Sequence, residues 1–229
     1  AWANEDTASR VNPQVVAKLV SVGEQLRTLK QFQVDAQVTR DVVLESGQKI
    51  KTHGTSQLKA DGKQRLFVAL NNDQQTRSYF YDGKNLTQYS KGLQYYTTVK
   101  VADNVFDMLQ QVETHYDLQM PMNDLFQLGR DQAQIDALTV AAYVGPTTIN
   151  GKLCDQLAFS QAGTDWQLWI TRAEKPMPCK LVITSTDEAS QPEYTATYTW
   201  NLKPKVSAAE FTFKPAKGDV AIPFKKVSE

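Results

Sequence analysis

Between residues 194 and 200, Tyr194, Ala196, Tyr198 and Trp200 alternate with Thr195, Thr197 and Thr199. A β-strand turns successive side chains to opposite faces, so this stretch is a strand with one dry face and one wet face. The same period of two recurs over residues 32–38, 166–171 and 179–184. Together these stretches predict one broad antiparallel sheet with a single apolar face. Whatever covers that face decides what the protein does.

Ahead of the first alternating stretch the period changes. Val15, Leu19, Val22, Leu26 and Leu29 recur at spacings of four and three, the stripe of an amphipathic helix. Asn12 can cap that helix and Pro13 suits its first turn. Over residues 31–100 period two takes over, and Glu45-Ser46-Gly47, Asp61-Gly62, Asn71-Asn72-Asp73, Asp82-Gly83 and Lys91-Gly92 divide it into about six strands. The strands near 31–45 and 48–60 are long, and long twisted strands favour curvature. A helical interlude follows, with Asp103 as its expected cap and Val105, Phe106, Met108, Leu109, Val112 and Tyr116 on one side. A second apolar segment holds Met120, Pro121, Met122, Leu125, Phe126 and Leu128. Strands resume over 138–202, with turns expected at Gly145-Pro146, Asn150-Gly151, Ala162-Gly163, 176–178 and Ser190-Gln191-Pro192. A tail rich in proline and lysine carries Phe211, Phe213, Ile222 and Phe224. Helix, six strands, helices and then five strands is the order of an open barrel stoppered by helices, a mainly β fold (α+β) of about eleven strands. No linker or low-complexity tract splits it, so residues 1–229 are expected to form a single domain, with 1–11 as its flexible start.

Charge narrows the function. Lys plus Arg equal Asp plus Glu at 25 each, which leaves no net field to attract nucleic acid or an acidic surface. No apolar run approaches the roughly 18–20 residues of a transmembrane helix. Ala1-Trp2-Ala3 before a polar, acidic Asn4-Glu5-Asp6 resembles the end of a secretory signal, so export is expected, the alternative being an arbitrary chain boundary. No cysteine near the start could carry a lipid.

The two cysteines, Cys154 and Cys179, fit either a disulfide of an exported protein or two small buried thiols. A simple meander would put them on alternate strands, about 9–10 Å apart and beyond disulfide reach. A bulge within Lys175-Pro176-Met177-Pro178 would be needed to carry Cys179 across.

Candidate chemistry is sparse. His53 lies within an alternating strand and His115 near the end of the middle helix, and neither belongs to a nucleophile motif. Metal-binding spacings and phosphate-cradling glycine loops are missing, so no metal and no cofactor is expected. The pairs Asp103/Asp107 and Asp131/Asp136 are of a kind that helix surfaces carry routinely. Tyr79, Tyr81, Tyr89, Tyr95 and Tyr96 could stack on sugars, but without a basic stripe they do not point to nucleic acid. Catalysis is not expected.

What is left is apolar area. Phe32, Val34, Ala36, Val38, Leu66, Val68, Leu70, Trp166, Leu168, Ile170, Leu181, Ile183, Tyr194, Ala196, Tyr198 and Trp200 all point to the dry face. Two readings stay open: a fully packed core, or a cavity that the helices leave for an apolar ligand. Burying about twelve methylenes of a lipid tail contributes roughly 10 kcal/mol against association costs of about 4 kcal/mol or more, so binding would need no charged contact. Candidate ligand-binding residues are Phe32, Val34, Leu66 and Val68 on early strands, Leu109 and Phe126 on the helices, and Trp166, Leu168, Ile170, Ile183, Tyr198 and Trp200 on late strands.

Several stretches resemble the superfamily of the lipoprotein carrier LolA, its receptor LolB and the stress sensor RseB. They are the N-terminal helix followed by the strand 32–44, Phe80-Tyr81-Asp82-Gly83-Lys84 with Leu86 and Tyr89, and Phe211-Thr212-Phe213-Lys214-Pro215. Asp107-Met108-Leu109, Pro121-Met122-Asn123-Asp124-Leu125 and Asp165-Trp166-Gln167-Leu168-Trp169-Ile170 are closer to an uncharacterised group of predicted periplasmic proteins in that superfamily. The resemblance implies an unclosed antiparallel barrel with a helical lid over a hydrophobic cavity, in a soluble periplasmic protein of the Gram-negative envelope. It implies a lipid or the acyl chain of a lipoprotein as ligand, with an RseB-like protein-interaction or envelope-stress module as the alternative. The carrier holds its lid with an arginine on an early strand. Arg65, in Lys63-Gln64-Arg65-Leu66-Phe67, is nearest in position but lacks the surrounding pattern, so that latch is not carried over.

Overall fold

The computed structural model describes residues 10–118 and 120–225. The element order follows the hydrophobic pattern. Helix α1 (Pro13–Thr28) leads into β1 (Gln31–Val43), β2 (Lys49–Asp61), β3 (Arg65–Asn72), β4 (Thr76–Tyr81), β5 (Asn85–Ser90) and β6 (Tyr95–Lys100). Helices α2 (Val105–Tyr116), α3 (Asn123–Gln127) and α4 (Gln132–Asp136) come next, then β7 (Val140–Ile149), β8 (Lys152–Gln161), β9 (Thr164–Thr171), β10 (Pro178–Ser185) and β11 (Glu193–Asn201). A 3-10 turn at Ala208–Phe211 and a two-residue strand, β12 (Val220–Ala221), complete the chain. The strands form one sheet in the order β12-β6-β5-β4-β3-β2-β1-β11-β10-β9-β8-β7, which does not close on itself. Its count is twelve rather than about eleven, because β12 adds in parallel to β6. Among the described residues no helix is long and apolar enough to cross a membrane. The export signal read at Ala1-Trp2-Ala3 lies outside the described residues, as do 1–9 of the expected flexible start. Val11, within that expected start, forms a bridge with Ala141 of β7.

Local chemistry explains the boundaries. Asn12 caps α1, its Oδ1 accepting from the Gln14 N–H at 2.9 Å, and Pro13 opens the helix where a missing N–H costs nothing. Helix α2 is capped by Asn104, one residue later than the expected Asp103; the Asn104 Oδ1 accepts the Asp107 N–H at 2.9 Å. The turn expected at Gly145-Pro146 is instead a β-bulge inside β7, where the register slips between Tyr143 and Gly145. The physical reason is the edge: β7 ends the sheet, and a proline without an N–H is tolerated on an edge strand.

The chain divides into two compact units. The first takes its described residues from Ala1–Thr28, Thr39–Thr52 and Asp124–Tyr198. The second comprises Leu29–Val38, His53–Asn123 and described residues of Thr199–Glu229.

In the first unit, Cys154 of β8 and Cys179 of β10 are bonded across the intervening β9, with their Cα atoms 6.9 Å apart. The slip that allows it lies between Pro178 and Lys180, so Cys179 itself is the bulged residue. The disulfide packs with Trp169, Val182 and Ile149. This apolar cluster covers the sheet face that alternation alone would leave wet.

In the second unit, one sheet face carries Phe67, Phe80, Tyr89 and Tyr96, by the register of β3 to β6. Phe213 sits on it with its ring 4.8 to 5.4 Å from those of Tyr89, Tyr96 and Phe80. Phe211 beside it is fully buried, and Glu210 bonds the Lys59 ammonium at 2.9 Å. Phe211 and Phe213 therefore belong to this unit's core.

Candidate ligand-binding face

In the first unit the register of β7 to β11 aligns side chains of the helix-covered face in rows. Leu157, Leu168, Leu181 and Ala196 form one row, all buried to 2% exposure or less. On one side lie Asp155 and Ile170, and Tyr198 on the same face of β11, all buried. On the other side lie Phe159, Trp166, Ile183 and Tyr194. In this last row only Phe159 is buried, its ring stacked on that of Trp166 at 4.0 Å, while Trp166, Ile183 and Tyr194 are half-buried.

Helix α1 supplies the cover with Val15, Leu19, Val22 and Leu26, all buried. It is fixed at two points. At Gly23, an added Cβ would lie 1.9 Å from the Leu128 carbonyl oxygen, so only a glycine lets the helix and the segment after α3 cross there. That same oxygen accepts from Arg27 Nη1 at 3.0 Å, and Gly129, at φ +60°, backs onto Val20. The second point is ionic. Asp155 Oδ1 accepts from Arg172 Nε at 2.7 Å and from the Tyr143 hydroxyl at 2.9 Å, while Lys18 of α1 reaches Oδ2 at 3.4 Å. Burial pushes the Asp155 carboxyl up, yet Arg172, Tyr143 and Lys18 together outweigh it and hold the group below its ordinary value.

Tyr194 closes the half-buried row. Its phenol is pushed up to about 12, first by burial and then by the charge of Asp124 on α3, with Arg40 opposing. The Arg40 guanidinium lies 5.4 Å from the centre of its ring, a cation–π contact. Tyr198 is pushed well above the ordinary value by burial, Tyr194 and Asp124. Neither phenol ionises at neutral pH, so both tyrosines stay neutral.

The sequence-nominated residues thus separate by burial. Of the first unit's members, Leu168, Ile170 and Tyr198 are buried, whereas Trp166, Ile183 and, on α3, Phe126 are half-buried. In the second unit Phe32, Val34, Leu66 and Val68 are buried, Leu109 of α2 is half-buried, and half-buried Trp200 lies 5.9 Å from Phe32, ring to ring. The glycine crossing and the Asp155 cluster escape sequence reading, because their partners are far apart in the chain. Tyr194 alone carried a signal, through its alternation.

His53 and His115 are both exposed, and no group of three or more potential metal ligands occurs among the described residues. Asp107 and Asp131 serve helix starts: Asp131 Oδ1 accepts from Ala133 N–H at 2.9 Å, and Asp107 Oδ2 accepts from Asn104 Nδ2 at 2.8 Å. Arg65 pairs with Asp61 at 3.5 Å beside the β2–β3 turn.

The fold has known counterparts. Lipoprotein LppX of Mycobacterium tuberculosis superposes with a TM-score of 0.54 at 13% identity, over 86% of this chain and 100% of that one. LprF of Mycobacterium bovis gives 0.49 at 12% identity, over 86% and 97%. A LolA superfamily protein of Nitrosomonas europaea gives 0.38 at 10%, over 89% and 98%. The first likeness establishes a fold shared with LppX, here built on an unclosed twelve-stranded sheet. No curated protein matches the sequence. A family model matches residues 16–225, and the chain belongs to that family, described as "Predicted periplasmic protein (DUF2092)".

Proposed function

We propose that this chain is a periplasmic, non-enzymatic binding protein, one LolA-like domain that holds an apolar ligand against the row Phe159, Trp166, Ile183 and Tyr194. The ligand class is a lipid or the acyl chain of a lipoprotein. One observation carries the reading: the neighbouring rows of this face are buried, while a row equally apolar is left half-open. Fully burying a large apolar side chain contributes about 1.5–3 kcal/mol, so a ligand that completes the burial of Trp166 and Ile183 gains affinity without any charged contact. Leu168, Ile170 and Tyr198 then act as the wall behind the ligand. The family's description supports the compartment, and the binding requires no cofactor or metal.

Organic-solvent extraction of the purified protein followed by mass spectrometry tests this, together with uptake of a fluorescent fatty acid. Co-purifying lipid and saturable uptake are expected. An empty extract with no uptake would overturn the reading, and a stable protein partner recovered from such an empty protein would favour an interaction module instead.

A further inference from the structure

The second unit carries polar groups that its fold does not use. The register of β3 to β6 sets three rows on the face opposite Phe213. Leu66, Tyr81, Leu86 and Val99 make an apolar row, and Val68, Tyr79, Gln88 and Thr97 come next. Leu70, Arg77, Ser90 and Tyr95 make the third. The face therefore grades from hydrocarbon into a patch of hydrogen-bond donors: Arg77, Gln88, Ser90 and Thr97.

Two of those donors are buried without a partner. Arg77 Nε and Thr97 Oγ1 are both sealed from solvent with no hydrogen-bond acceptor, and Thr97 as a whole is only 7% exposed. Folding normally satisfies such groups, since leaving one bare forfeits its hydration. Here the deficit is one-sided. Among the described residues no carboxylate forms an ion pair with Arg77, and three nearby acidic groups have other partners: Asp219 accepts from Tyr89 and from the Ala216 N–H, Asp82 caps its own turn, and Asp73 accepts from the His53 N–H. A guanidinium, a hydroxyl and an amide facing one way, with no acceptor among them that carries charge, match an anion.

We propose that Arg77 and Thr97, with Gln88 and Ser90 between them, form a binding site for a single carboxylate or phosphate group. Arg77 on β4 and Thr97 on β6 flank β5, about 10–12 Å apart at Cα, and the long arginine side chain narrows that gap to what one oxyanion can bridge. The guanidinium donates to one oxygen and the threonine hydroxyl to another. The group could belong to free phosphate or to the head of an amphiphile; both present the same oxygens. This site stands independently of the Trp166 row, and its failure would leave that reading untouched.

Thermal unfolding and isothermal titration with inorganic phosphate, and separately with monomeric lysophosphatidic acid, at matched ionic strength, test it. Saturable binding is expected in at least one arm. Phosphate alone sufficing identifies a free anion, and binding of the amphiphile only identifies a headgroup. Arg77→Gln should weaken binding at least about tenfold and Arg77→Lys less, because lysine keeps the charge and loses the fork. Thr97→Val gives the sharper readout. It removes an unsatisfied hydroxyl, so the ligand-free protein should be as stable as wild type or more so, while the anion-dependent stabilisation falls. No saturable binding in either arm, or binding unchanged in both Arg77→Gln and Thr97→Val, would overturn the proposal.

Discussion

In each unit one face of the sheet is made from the same kind of alternating strand, and the two faces end in different states. In the second unit Leu66, Val68, Tyr79, Tyr81 and Leu86 are sealed to 5% exposure or less, and the face then turns polar. In the first unit the Leu157 row is sealed just as tightly, but the next row stays apolar and half-open through Trp166, Ile183 and Tyr194. The opposite faces differ too. A disulfide cluster covers the first unit's, and an aromatic cluster built on Phe213 covers the second's. The difference teaches that apolar alternation by itself does not mark a binding face. What marks one is alternation that continues past the cover.

The largest break of this contrast is covalent. Removing the disulfide by Cys154→Ala with Cys179→Ala frees a loop spanning 25 positions. Chain entropy then predicts a loss of about 3.5 kcal/mol in denaturant unfolding. A loss well under about 1 kcal/mol would mean that Trp169 and Val182 cover the face unaided.

Gly23→Val comes next. Its Cβ would collide with the backbone at Leu128, which has no side-chain rotation with which to yield. A loss of about 3 kcal/mol is expected by chemical denaturation. Gly92→Ala in the second unit is the control: nothing lies within 4 Å of its would-be Cβ, so the change should stay within about 0.5 kcal/mol.

These two variants also mark where the sequence was and was not legible. Periodicity places α1, β1 to β6 and β8 to β11 nearly to the residue, because each has one buried face and one wet one and the pattern is local. Asn12 and Pro13 are readable for the same reason. Gly145-Pro146 is misread as a turn, since the same two residues serve a bulge on an edge strand and only the sheet order tells which. The disulfide stays undecided in the sequence because it depends on the one-residue slip at Cys179. Trp166 and Leu168 look alike in the pattern, and what separates the half-open row from the sealed one is tertiary: a helix held close by Gly23 and by a carboxylate whose partners, Lys18, Tyr143 and Arg172, are spread over two elements and a loop.

That carboxylate makes a pH prediction. Asp155 is held below its ordinary value when folded, so the unfolded chain binds its proton more readily. Its contribution is complete above the unfolded carboxylate range, near pH 4, and is lost as pH falls through the lower folded value. Asp155→Asn should cost about 2 kcal/mol at neutral pH. The gap between wild type and variant should then close in acid. A gap that stays constant below pH 4 would assign the effect to packing rather than to charge. Asp41, lowered by its hydrogen bond to Lys51, titrates in the same direction in both proteins and cancels in the difference.

The smallest effect on stability bears most directly on function. Trp166 in the first unit and Trp200 in the second are both half-buried beside a phenylalanine ring, Phe159 and Phe32 respectively. Replacing either by alanine should therefore cost a similar, modest amount, about 1–2 kcal/mol, less than for a fully buried tryptophan. Ligand uptake should separate them. Trp166→Ala removes the centre of the half-open row and should weaken fluorescent fatty-acid binding about tenfold, as loss of a central aromatic anchor does. Trp200→Ala should leave it within about twofold, a difference too small to mark an anchoring contact. Equal losses from both would break the contrast between the units, because the half-open row would then have no privilege over another half-buried tryptophan. Loss from Trp166 alone, at matched stability, would locate the ligand on the half-open row of the first unit.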